Sequence, residues 1–123
     1  MLEKICTDLE TSKRLKELDF DDSESEFVYW NEKPEYYHNL PHFEIGRIED
    51  LITCYTLEQI LNELPRNIMI SQIVYDLSID NYDIGYHNIL FKKTYIQFSK
   101  QNNLATAAAK LWIKLKEDKI IWK

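Results

Sequence analysis

The chain has 123 residues, a length that suits one domain and leaves no room for a second independent core. Hydrophobic residues make up 45% and charged residues 29%, and sixteen side chains are aromatic, which excludes global disorder. The net charge of −6 conceals a polarity: residues 1–63 hold sixteen Asp/Glu against six Lys/Arg, a net of −10, whereas residues 64–123 hold five against nine, a net of +4.

No apolar run approaches the ~18–20 residues a membrane span needs, and the first residues form no basic, apolar leader, so a cytoplasmic protein without membrane contact is expected. Cys6 and Cys54 are widely separated and in no C-x-x-C pattern, which predicts reduced thiols, with Cys54 half-buried, and no disulfide framework or zinc knuckle.

In chain order, Leu9, Leu15 and Leu18 among charged neighbours predict a short amphipathic helix over residues 8–18, with Thr7, Asp8, Thr11 or Ser12 as its cap. The run of residues 19–26, free of basic side chains, reads as a loop, and residues 27–30 read as a strand. Pro34 and Pro41 interrupt the next stretch, so residues 31–55 are expected to be an irregular excursion with one short strand at 35–38. A helical spacing at 45, 48, 51 and 52 is weakened by Gly46.

Thr56 and Gln59 stand in the S/T-x-x-E/Q capping-box pattern, followed by Ile60, Leu61 and Leu64 and stopped by Pro65, which predicts a helix over 57–64. Alternation at Ile73, Tyr75, Leu77 and Ile79, then at residues 84–87 and from Leu90 through Phe98, predicts three antiparallel strands. Asn103 caps the strongest helix, from Leu104 to about Asp118, with Leu104, Ala107, Ala108, Leu111 and Leu115 on its apolar stripe. Residues 120–122 read as a short strand or a packed tail. The fold class is α+β: a small antiparallel sheet of three to five strands with helices packed on one face.

Motifs for chemistry are scarce. Gly46 and Gly85 are isolated, so no phosphate-cradling loop can be drawn. His38 and His42 flank Pro41 without a completing carboxylate or thiol, and residues 19–26 lack the central Gly of a calcium loop, so neither metal nor cofactor is expected. His87 reads as an ordinary sheet residue, and the many carboxylates show no discriminating spacing, so an enzyme is not indicated. The lysines of the C-terminal half read as a solvated face, and direct nucleic-acid binding is disfavoured because only Arg66 and Arg47, with Arg14, supply guanidinium groups and because the overall charge is negative.

A docking surface is the remaining reading. Asp19, Asp21, Asp22, Glu24 and Glu26 could steer the chain to a basic protein, with Tyr29, Trp30, Tyr36 and Tyr37 as aromatic anchors. The residues from Tyr55 to Pro65, and again from Asn103 to Trp112, resemble a group of small phage and prophage proteins of no settled activity. That resemblance, carried mostly by helix caps and core positions, implies kinship of fold and a mobile-element origin. By class it implies an anti-CRISPR-like inhibitor whose partner is a CRISPR effector nuclease with a basic surface. The rival expectations are a nucleic-acid accessory protein using the lysines and a phage structural or assembly protein.

Overall fold

In a computed structural model the chain is described over residues 2–21, 25–41, 51–99 and 103–121. After a 3₁₀ turn at Leu2–Lys4, α1 spans Leu9–Glu17. Of the four possible caps Asp8 is one in use: its backbone is extended, and its carboxylate accepts from the Thr11 amide at 2.8 Å. Helix α1 ends in a Schellman motif, in which Asp19 adopts φ 59°, its amide reaches the Lys16 carbonyl at 3.1 Å and the Phe20 amide reaches the Leu15 carbonyl at 3.0 Å. Leu15 and Phe20 are thereby turned into the main core.

β1 (Phe27–Trp30) falls where the sequence places it, but the irregular excursion after it is more ordered than expected. A two-residue turn with both Asn31 and Glu32 at positive φ returns the chain as β2 (Lys33–Tyr36), and β3 (Thr53–Cys54) pairs on the other side of β1. Pro34 sits in β2, an edge strand, where its missing N–H breaks no ladder. The expected strand at 35–38 is thus shifted two residues earlier, and Tyr37–Asn39 forms a second 3₁₀ turn. The helical spacing at 45, 48, 51 and 52 falls on a segment of which residues 45–50 lie outside the described residues.

α2 covers Leu57–Leu61, and the capping box is present, with the Thr56 amide donating to Gln59 Oε1 at 2.9 Å. It stops short of the expected residue 64 because the chain tightens: the Glu63 and Leu64 amides bond carbonyls three residues back, at 3.0 and 3.2 Å.

The second sheet is a four-stranded antiparallel meander, β4 (Asn67–Ile70), β5 (Ile73–Ile79), β6 (Asp83–Asn88) and β7 (Lys93–Ser99). It has one strand more than expected, because Ser71 and Gln72, both at positive φ, make another tight hairpin. Strand β7 begins at Lys93; Leu90 and Phe91, expected inside it, lie in the turn before it. A bulge opposite Tyr86 and His87 puts the consecutive residues Tyr95 and Ile96 both against the core.

α3 (Leu104–Glu117) lies across one face of this sheet with Ala107, Ala108, Leu111 and Leu115 buried, and Leu104 half-buried. Asn103 caps it, accepting from the Thr106 amide at 2.8 Å, while the Asn103 carboxamide donates to the Cys6 carbonyl at 2.7 Å. Helices therefore cover one sheet face, and the α+β class holds with two antiparallel sheets in place of one. Ile120 and Ile121 form a packed tail against the same core. No helix among the described residues is long and apolar enough to cross a membrane.

Candidate functional site

The Schellman motif that ends α1 directs Phe20 inward and leaves Asp19 and Asp21 exposed on either side of it. The tightened end of α2 brings Asn62 and Glu63 to face them, and α3 contributes Trp112. Between these elements lies a groove of about 540 Å³, its mouth edged by Asp19, Asp21 and Glu63 and its floor made of Phe20, Leu64, Pro65, Trp112 and Ile121. Phe20 is packed edge-on between Trp112, at 4.8 Å, and Tyr55, at 4.7 Å, which fixes its ring in the floor of the groove by aromatic contacts on two sides. Carboxylates around an apolar, aromatic floor suit the aliphatic stem and charged head of a lysine or arginine, or a short basic, apolar segment.

The expected anchors are distributed differently. The Tyr29 hydroxyl donates to the Thr7 carbonyl at 2.6 Å, a bond that ties β1 to the N-terminal segment. Tyr36 packs against Phe27 and donates to Glu26 at 3.1 Å, and that bond raises the Tyr36 phenol above its ordinary pKa. Trp30 and Tyr37 pack instead on Val28 and Leu40 in a separate small core. Pairing in β1–β2 puts Tyr29 and Tyr36 on one sheet face and Trp30 on the other, so these residues do not form one patch. Glu26 is exposed beside Tyr36, and Asp22 and Glu24 lie outside the described residues.

Of the expected set, among the described residues, Asp19 and Asp21 meet at the groove; Glu63 and Trp112 are not among the site residues the sequence singles out. Glu63 reads from sequence as one more charge on a helix, and Trp112 falls in the same helix as the apolar stripe without being assigned to it. Their convergence depends on how α2 docks on α3.

His38 is exposed, with its ring against Tyr36 and Tyr37, and His42 lies outside the described residues. His87 Nδ1 is 2.8 Å from Thr94 Oγ1 across the exposed face of the sheet. Among the described residues no group of three His, Cys, Asp or Glu side chains could hold a metal ion. Cys54 is fully buried rather than half-buried, and it shares a hydrogen bond with Cys6; that bond lowers the Cys6 thiol pKa, while the bond and burial together push Cys54 up.

Two of the lysines of α3 have partners within the chain. Lys114 pairs with Asp118 at 3.2 Å, and Lys116 lies over the Trp112 ring at 5.8 Å. No protein family, curated protein or solved structure matches the chain.

Proposed function

We propose that the chain is a protein-binding module whose acid-rimmed groove captures a basic segment of another protein, and that it acts as an inhibitor by occupying that segment. The observation that carries this reading is the convergence of Asp19, Asp21 and Glu63 around the Phe20–Trp112 floor. A nucleic-acid-handling nuclease of the CRISPR effector type is the partner class that fits, because its nucleic-acid channel presents lysine and arginine side chains to an anionic ligand. The engaged state of Lys114 and Lys116 weighs against the rival reading as a nucleic-acid accessory protein.

The experiment is a binding titration of the purified chain against guide-free CRISPR effector nucleases, across a salt series, with D19K/E63K as the groove variant. Lys119 already occupies, at the end of α3, the position that Asp19 occupies at the end of α1, so lysine is compatible with that backbone. Binding that weakens with salt and drops at least tenfold in D19K/E63K is expected. Binding unchanged by the reversal, or absent at low salt for every effector tried, overturns the reading.

A further inference from the structure

The most exposed apolar feature of the described surface is the β6–β7 turn. Ile89, Leu90 and Phe91 are consecutive and 85%, 83% and 61% exposed. They are presented by an ordered scaffold: the Asn88 carboxamide donates to the Val74 carbonyl at 2.8 Å and accepts from the Phe91 amide at 2.7 Å, locking the turn to β5. Single exposed apolar side chains are ordinary, but three in a row on a hydrogen-bonded turn form an anchor that a concave apolar site would bury. Lys92 and Lys93 come directly after them, so the matching site should carry carboxylates at its mouth.

The chain itself holds such a site. The groove has an apolar floor and a rim of Asp19 and Glu63, both from the half of the sequence with net charge −10, whereas the tip belongs to the half with net charge +4. We propose that the β6–β7 tip of one copy docks in the groove of a second copy, with Leu90 and Phe91 on the floor and Lys92 and Lys93 against the rim. The inference rests on the reading of the groove as a protein-docking site and names a second occupant for it. Tip and groove share no residue, so the contact either closes reciprocally as a two-fold dimer or continues from copy to copy as a ring or an open chain. A filled groove cannot take a basic partner, so self-association withdraws the binding site as the concentration of the chain rises.

The test is sedimentation velocity of the full chain from low to high micromolar concentration, with circular dichroism confirming that each variant is folded. The wild type should gain mass with concentration, and more weakly at high salt. L90S/F91S, K92E/K93E and D19K/E63K should each weaken association at least tenfold. Mixing K92E/K93E with D19K/E63K should restore it, because each then offers the charge the other needs. A wild type that stays monomeric throughout, or association that the tip variants leave unchanged, overturns the proposal. So does binding of the tip to phosphatidylserine vesicles without self-association, which would make a membrane surface its occupant. Loss of association in the tip variants but not in D19K/E63K also overturns it, while leaving capture of a basic partner by the groove intact. Association that responds to all three variants, with no effector bound at any salt, sustains the self-docking and removes the inhibitor reading.

Discussion

Asp19 and Lys119 fill the same place in two helices. Each is the left-handed residue, at φ 59° and 61°, that closes a Schellman motif, in α1 through the Phe20 amide on Leu15 and in α3 through the Ile120 amide on Leu115. Glycine takes this conformation without steric penalty, whereas an L side chain there costs on the order of 1 kcal/mol. D19G and K119G should each raise the unfolding free energy by ~0.5–1 kcal/mol in a urea titration. They should part company in binding, because only D19G removes a carboxylate from the groove rim. Equal partner affinity in both variants would separate Asp19 from the docking site.

The packing of α3 on the four-stranded sheet predicts the largest single loss. Leu111 is fully buried in the main core, so Leu111→Ala should cost ~2–5 kcal/mol by denaturant titration. Thr56→Ala, which removes one half of the capping box of α2, should cost only ~0.5–2 kcal/mol. A reversed ranking of the two would mean that the short α2, rather than the α3–sheet interface, carries the fold.

The parts of the fold that are legible in the sequence are those where side-chain chemistry acts locally. Asp8, Thr56 and Asn103 announce their helices because a capping oxygen must stand at a fixed offset from a free amide. The hairpins are obscured because the chain makes its left-handed turns without glycine: Asn31–Glu32 and Ser71–Gln72 hold positive φ with ordinary side chains. For the same reason the sequence places β2 too late and does not separate β4 from the strands after it. Leu90 and Phe91 read as part of a strand because apolarity alone does not distinguish a core strand from an anchor exposed at a turn. The groove is half legible, since Asp19 and Asp21 stand out as charge, but Glu63 joins them only through the tertiary docking of α2.

Alkaline pH should weaken the fold through one buried phenol, Tyr86, and one half-buried phenol, Tyr95. Burial, helped by the hydrogen bond to Asp118 at 2.8 Å, pushes Tyr95 from 10.0 up to about 12, and burial also raises Tyr86. A group whose pKa is higher in the folded state stabilises the fold fully below its unfolded value, and that contribution fades as pH rises through the folded one. Stability should therefore hold up to about pH 10 and decline towards pH 12, with phenolate absorbance of Tyr95 delayed to the same window and that of Tyr86 appearing later still. Tyr95→Phe should flatten the decline; an unchanged slope would assign it to other groups.

Cys6 and Cys54 supply the last prediction. They are 1% and 0% exposed, and the segment between Cys6 and Asp8 is clasped from several sides. The Thr7 amide donates to the Tyr55 carbonyl at 2.8 Å, the Tyr55 amide donates to Thr7 Oγ1 at 3.1 Å, and the Asp8 amide donates to Thr106 Oγ1 at 3.0 Å. A buried thiol inside such a clasp reacts only when the segment opens, however acidic it is. Iodoacetamide should therefore label the native protein at least a hundredfold more slowly than the urea-unfolded chain. Removing the Thr7 hydroxyl with Thr7→Val should loosen the clasp, leaving the Tyr55 amide and Ser12 without a partner that they hold at 3.1 and 2.6 Å, and should speed the labelling of Cys6 in particular. Labelling of the wild type at the unfolded rate, resolved by mass spectrometry of the two cysteine peptides, would show that the N-terminal segment is not held against β3 and α3. Faster labelling of Cys54 than of Cys6 in Thr7→Val would place the weak point in β3 instead.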